Sequence, residues 1–496
     1  MIDNLAQLFL ARAAERPDLR IGTLDEQLAL PDALRRAAGG AHRLRALGLG
    51  GEPGRDGQRL AIVAGSSTDY LVVWLSCVLS GVPVALVNPT YPPDLLARML
   101  DNLDPALVFT DLPDTAFAGS RPVLPLDASR EWPDADPAGT PGVTADRFDL
   151  VSFMHTSGTT GVPKFCAQTH SYFLRLGRAI ADAMELTAQD RVLAPLPLFH
   201  INPLGYGVVG ALTVGADALT VAKFSASRFW PAVREHGVTA MVLHAPPVEI
   251  LKRATTPEDA ADHRVRSMFY ADGDFMARFG VPLAVSCYGS TEAAGVSHLH
   301  QWRLGDDIPA DASRYGGASR ADIEDRLDDG GQILVRERVP GTLFAGYFAD
   351  GKLDPTRDGD GWFATGDLGR RDAAPAEPDG SSAGGLRFLE RAAESIRVKG
   401  EFVPIPFVEE RLGTIAELVD LALWKKPGEL VDDEVVLYTV ADALPVEQIR
   451  AVAQELPAFM RPSHVARIRA IPRDAAAGKV QRRLLHGQEV LSWTTL

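Results

Sequence analysis

Short Val/Leu-rich runs alternating with helical segments constrain this chain more than any other feature. Leu60–Val63 reads as a strand, and the apolar stretch 70–87 after it divides at Gly81-Val82-Pro83. That break leaves a helix and a short β-rich run over Val84–Val87, neither long enough to span a bilayer. Pro93–Leu103 reads as the next helix and 107–109 as the next strand; the rhythm resumes at 192–194, 218–221 and 240–243. Strand, helix, strand in this order implies right-handed βαβ units and parallel sheets, an α/β fold.

Residues 1–18 lack a basic leader and a cleavage site, and their apolar residues recur at helical spacing, so an amphipathic first helix is expected. The Pro/Asp/Gly/Ala-rich stretch 127–146 reads as a linker. A second such stretch, 373–385, precedes a strand at 386–389. Beyond it, a strand at 434–440 and a helix at 445–456 are enough for a small α+β domain. A boundary near Arg391 therefore separates a large domain, 1–390, from a small one, 391–496.

Composition excludes several functions. With 50 Lys plus Arg against 65 Asp plus Glu, the net charge of −15 disfavours nucleic acid and anionic membrane surfaces as partners. Three dispersed cysteines, Cys77, Cys166 and Cys287, support neither a disulfide framework nor a Cys-rich zinc site, and fit a reducing cytoplasm.

The strongest chemical signal is His155-Thr156-Ser157-Gly158-Thr159-Thr160-Gly161-Val162-Pro163-Lys164. Its glycines free the backbone to turn N–H groups inward, its hydroxyls add donors, and Lys164 adds a fixed charge, so the loop can hold a polyphosphate. It is not a Walker A loop, because Lys164 follows Gly161 by three residues and no Ser or Thr comes next. Four further segments stand out: Tyr288-Gly289-Ser290-Thr291-Glu292, Gly361–Leu368 (GWFATGDL), Arg391–Glu401 (RAAESIRVKGE) and Pro472–Arg483 (PRDAAAGKVQRR). Taken alone, Glu292 or Asp367 is equally a turn carboxylate, and Lys479 a solvated lysine beside Arg482 and Arg483.

Together these five motifs, in order over about 330 residues, resemble those of the adenylate-forming superfamily: acyl-CoA synthetases, adenylation domains and luciferases. The resemblance implies a large domain with parallel-rich sheets, a mobile small domain, and ATP, Mg²⁺ and a thiol, most simply CoA, as reactants. It implies that Thr156 to Gly161 and Lys164 hold phosphates, and that Tyr288, Gly289 and Thr291 also bind ATP. Glu292 would hold Mg²⁺, Asp367 the ribose hydroxyls and Arg391 the ribose or phosphate. Lys479 would be the catalytic lysine, leaning over the α-phosphate.

Pro195–Asn202 (PLPLFHIN) is similar to the acyl-pocket segment of coumarate– and carnitine–CoA ligases. His200, also a catalytic candidate, Ile201, Asn202, Tyr270 and Gly289 would line the substrate site; a core histidine is the alternative for His200. No Asp stands in this run to pair with an α-amine, so a small or aromatic carboxylate is the expected substrate. Three departures are visible. Ala393 replaces the hinge Asp or Lys, 268–279 lacks a Gly-Gly-Ala-Pro turn, and Phe402 stands at a usually polar position. The first two leave room for an alternative within the same fold, adenylation of another oxyanion such as nitrite with an amine as acceptor.

Overall fold

The computed structural model describes residues 2–50, 58–156, 162–372, 384–391, 396–398, 401–427, 433–473 and 480–496. The chain forms two compact units. One comprises Met1–Pro89, Leu100–His155 and Phe165–Ala392; the other Thr90–Met99, Thr156–Lys164 and Ala393–Leu496.

Two sheets organise the larger unit. In the first, Leu60–Val63 pairs in parallel with Val84–Val87 and Leu107–Thr110, and Val84–Val87 pairs with Leu150–Thr156. Each of the first three strands is buried along its whole described pattern, the continuous apolar reading of a parallel sheet covered on both faces. In the second, Arg20–Thr23, Asp217–Thr220, Arg191–Ala194, Ala240–Val242, Ser267–Phe269 and Leu283–Tyr288 are parallel neighbours in that order. The remainder departs from the expected parallel arrangement. His298–Arg303, Tyr315–Ser319, Leu386–Arg391, Phe363–Arg371, Gln332–Glu337 and Ile323–Leu327 continue the sheet antiparallel. These strands mix buried, half-buried and exposed positions and leave part of their surface to solvent, as antiparallel strands can.

The helix Thr68–Ser80 is buried at every position. Ser67 caps its start by accepting from the Tyr70 N–H, and Gly81, at φ +70°, ends it in the left-handed conformation that favours glycine. Its buried Asp69 accepts from Ser129 Oγ at 3.0 Å and Arg130 Nε at 2.7 Å. These contacts correct the reading of 127–146 as a linker. The segment is a packed strap of short 3₁₀ turns, with Trp132 buried 6.2 Å from the Phe109 ring. A Cβ on Gly142 would come within 2.0 Å of the Val78 carbonyl. Loop-like composition conceals this because a few anchors make the contacts.

The first helix, Leu5–Glu15, docks by its Leu5 N–H, which donates to His170 Nδ1 at 3.3 Å. Burial pulls the His170 imidazole down from 6.5 to about 4. Between those values the unfolded chain takes up a proton that the folded protein refuses, so stability falls as pH drops through that window. The loss from this group amounts to about 3 kcal/mol. His170→Gln should flatten this part of the pH dependence, read as urea midpoints between about pH 7 and pH 4; an unchanged slope would assign it elsewhere.

In the smaller unit, Asp420–Pro427, Asp433–Val440, His464–Ile468 and Val490–Thr495 form a four-stranded sheet. It is accompanied by helices Ile405–Leu412 and Val446–Gln454, an α+β arrangement. Among the described residues, no helix is long and apolar enough to cross a membrane.

Candidate active site

Open α/β sheets bind ligands at the carboxyl ends of their strands, and the larger unit gathers its candidate residues there. Ser66 follows one strand of the first sheet, Asn88 another, and His155 lies near the end of a third; Leu198 to His200 follow a strand of the second sheet. Ser66 Oγ accepts from the Leu198 N–H at 3.0 Å, and His155 Nε2 accepts from the Asn88 N–H at 3.3 Å. An N–H aimed at Nε2 makes that nitrogen the acceptor and leaves a neutral ring's proton on Nδ1. The His155 ring stacks on Phe199 at 6.1 Å and lies 6.0 Å from His200, and Phe199 meets His200 edge-on at 4.7 Å. His155 opens the loop motif read from the sequence, but that reading assigns it no role of its own. Its only signal was its place directly before the Thr-Ser-Gly loop.

Beyond His200 the chain enters a π-helix, Asn202–Val209, which Gly210–Val214 continues as an α-helix. Such wide turns are rare and favour functional sites. Ile201 and Asn202 are half-buried at its start. The Asn202 amide N–H lies 3.5 Å from the Leu243 carbonyl, and its Oδ1 is buried without a partner among the described residues. Tyr206 packs 4.9 Å from Phe269 and donates its hydroxyl to the Gly295 carbonyl at 2.8 Å.

That contact reaches the turn following Leu283–Tyr288. Gly295 N–H donates to the Ser290 carbonyl at 2.9 Å, Tyr172 hydroxyl to the Thr291 carbonyl at 2.9 Å, and Arg320 to the carbonyls of Ala294 and Val296. Asp322 holds the Arg320 guanidinium through both its oxygens. So tethered, the turn keeps Ala294 at φ +62°, a conformation uncommon for a residue with a Cβ. The turn presents Glu292, whose Oε1 accepts from the Tyr347 hydroxyl at 3.0 Å. Tyr347 belongs to the other sheet, opposite Cys166 in the strand Lys164–Thr169. Sequence reasoning missed Tyr347, since nothing local marks a residue that acts across 55 positions.

Tyr288 donates its hydroxyl to Asp367 Oδ2 at 2.9 Å, with both residues buried. The ring stacks 6.0 Å from Phe388 and faces the edge of His298 at 5.8 Å. Strand register places Arg391 directly opposite Asp367. The corner between Ser267–Phe269 and the helix Gly273–Phe279 is made by Tyr270 at φ +99°, where the expected Gly-rich turn is missing. Burial lifts the Tyr270 phenol above its usual range, against a Ser313 hydrogen bond that lowers it. In this unit, then, Tyr288, Asp367 and Arg391 form one group, Gly289, Thr291 and Glu292 the adjoining turn, and His200, Ile201 and Asn202 another.

In the smaller unit, Thr156 closes one strand and Lys164 opens the next; Ser157, Gly158, Thr159, Thr160 and Gly161 between them lie outside the described residues. Lys479 and Ala393 also lie outside them. The flanks of Lys479 form a stem: Arg473 bridges to Val480, and Gln481 N–H donates to the Pro472 carbonyl at 2.8 Å. Arg473 pairs with Asp420 at 2.8 Å, and Arg482 grips both oxygens of Glu409 at 2.8 and 2.7 Å. Arg482 is thus a structural anchor rather than part of a solvated basic patch.

Comparison with known proteins completes the assignment. The family described as AMP-binding enzyme matches residues 9–348. The chain belongs to that family. Among relatives of this AMP-binding enzyme is a sulfoacetate–CoA ligase from Cupriavidus necator, 29% identical with 97% of each chain covered. A crotonobetaine/carnitine–CoA ligase from Escherichia coli is 26% identical over 87% of this chain and 88% of the relative. In fold, the AMP-binding enzyme is similar to o-succinylbenzoate CoA synthetase from Bacillus subtilis (TM-score 0.81, 20% identity, 99% of each chain). A second structure of that synthetase, in complex with ATP and magnesium ion, aligns with TM-score 0.67 and 20% identity over 97% of this chain and 99% of the other.

Proposed function

We propose that this enzyme activates a small or aromatic carboxylate lacking an α-amino group as its acyl-adenylate, and transfers the acyl group to CoA. One observation carries the reading. The turn holding Glu292 directly continues the strand whose Tyr288 is bonded to Asp367, which supports reading Glu292 as the metal's carboxylate and Asp367 as the ribose's within one site. CoA as acceptor rests on the relatives, which are CoA ligases. Nothing among the described residues favours the nitrite and amine alternative.

In the first step a carboxylate oxygen attacks the α-phosphorus of ATP, the bond to the β-phosphate breaks, and pyrophosphate leaves. Charge on the polyphosphate is the obstacle, and Lys164 and Lys479 supply fixed cations against it. Asp367 accepts from the ribose hydroxyls, with Arg391 beside it in register. Among the described residues no group of three or more His, Cys, Asp or Glu could hold a metal by itself. One tethered carboxylate suits Mg²⁺, which keeps waters and substrate phosphates as its other ligands. Glu292 would hold it, and the bound ion would neutralise phosphate charge.

The rings of His200, Phe199 and His155 would form an aromatic wall for the acid, and PLPLFHIN offers no carboxylate to an amine. In the second step the CoA thiolate attacks the acyl carbon and AMP leaves. We take the domain boundary at 390/391, and rotation of the 391–496 domain about Arg391–Glu394 would admit the thiol; the two compact units divide within that hinge, after Ala392. Free cysteines among the described residues accord with a cytoplasmic site.

Pyrophosphate release across a panel of acids, each with and without CoA, tests this reading. Release with an acid and CoA-dependent AMP formation support it; turnover only with nitrite and an arylamine overturns it. The metal assignment has its own test. Glu292→Gln should raise the Mg²⁺ concentration for half-maximal rate, and Tyr347→Phe should raise it by about tenfold through loss of orientation. An unchanged Mg²⁺ dependence in Glu292→Gln would make Glu292 a structural turn residue.

A further inference from the structure

Behind the Tyr288–Asp367 pair lies a second polar group that adenylation does not itself use. His298 stands opposite Tyr288 in the antiparallel pairing and is 0% exposed. Its Nε2 lies 3.2 Å from Asp325 Oδ2, and its Nδ1 lies 2.9 Å from Ser297 Oγ. Asp325 in turn pairs with Arg371. Arg371 is on the same strand as Asp367, four residues on. The contacts therefore close a circuit: Asp367, Tyr288, His298, Asp325, Arg371, and back along the strand to Asp367.

An inward-facing histidine and aspartate are costly in a sheet that apolar residues could fill. Ser297, His298 and Asp325 do not make a hydrolytic triad. Ser297 is 0% exposed, and its Oγ and N–H both point to the Tyr288 carbonyl, at 3.2 and 2.9 Å. What they do fix is Tyr288. Its carbonyl is held by Ser297, one ring face by Phe388, and its side by the edge of His298. Burial would raise the Asp325 carboxyl, but His298 and Arg371 outweigh it and hold it below its usual range. The carboxylate thus stays charged and keeps hold of both neighbours.

We propose that His298 and Asp325 are positioning residues that lock Tyr288 and, through its hydroxyl, aim the Asp367 carboxylate at the sugar of the nucleotide. They thereby set how strongly the enzyme prefers a ribonucleotide to a deoxyribonucleotide. The inference rests on the reading in which Asp367 binds the ribose hydroxyls.

The test is the ratio of kcat/KM for ATP to that for 2′-deoxy-ATP and for 3′-deoxy-ATP, measured by pyrophosphate release. Because each ratio comes from one preparation, the amount of folded protein does not move it. His298→Leu and Asp325→Asn should each lower the preference for ATP by about fivefold, the worth of one polar contact. The fall should appear as a higher KM for ATP with the deoxynucleotide values nearly unchanged. His298→Gln, which keeps a donor towards Asp325, should restore most of the preference. Asp367→Asn separates the two failures. If it leaves the preference intact, the ribose reading fails and the inference falls with it. If it abolishes the preference while His298→Leu and Asp325→Asn keep the wild-type ratio, or slow both nucleotides equally, the positioning role alone is overturned. Should His298→Leu not fold, Asp325→Asn and His298→Gln decide on the same ratio.

Discussion

Lys479→Ala is expected to lower adenylate formation by about 10² to 10³ while leaving acyl transfer from a supplied adenylate largely intact. Attack on the α-phosphorus brings an anion towards a polyanion, and one preorganised cation at such a transition state is worth about two to four kcal/mol. Preorganisation is what the flanks of Lys479 offer. The stem from Pro472 to Gln481 is pinned by Arg473 to Asp420 and, just beyond, by Arg482 to Glu409. Lys479 directly precedes Val480, the residue bridged to Arg473. ATP–pyrophosphate exchange checks the assignment; near-wild-type exchange would remove Lys479 from the first step.

Gly289→Ala should cost about 10² in the same exchange reaction, from a change of one methyl group. A Cβ at Gly289 would stand 2.3 Å from the Gly295 carbonyl oxygen and 2.6 Å from the Val296 Cα, so backbone has to move. It has little freedom to do so, since Tyr206, Tyr172 and Arg320 hold the same turn by its carbonyls. Displacement therefore passes to Glu292 on one side and Tyr288 on the other. The variant should still unfold cooperatively in urea with a lowered midpoint, separating a misplaced turn from a lost fold. Exchange at the wild-type rate would show that the turn can relax without disturbing either carboxylate.

The parallel strands were legible because burial on both faces writes them as continuous apolar runs: Leu60–Val63 and Val84–Val87 fall where those runs do. Most of the antiparallel half was not, although 386–389 reads as a strand and falls within Leu386–Arg391. His298–Arg303 (HLHQWR) mixes buried, half-buried and exposed positions, and no local pattern says which strand it joins. Strap 127–146 was misread for a related reason. Trp132 and Ser129 anchor it, but their partners Phe109 and Asp69 are distant in sequence. Motifs exposed Tyr288, Glu292 and Asp367 one at a time. That Tyr288 touches Asp367 and Glu292 touches Tyr347 depends on strand order, which residue types do not encode.

The π-helix at Asn202–Val209 has a consequence for how such a pocket changes over generations. A helix with one residue more per turn than its α-helical continuation can lose that residue and become regular. Because the wide turns already absorb that residue, the faces before and after the segment would keep nearly the same direction. His200, Ile201 and Asn202 lie on the near side, and the Tyr206 contact to Gly295 on the far side. A single codon lost here would regularise the wide turn itself while leaving both flanks, and the turn that carries Glu292, in place. The segment is thus a place where chain length can change by one residue with little disturbance to what flanks it.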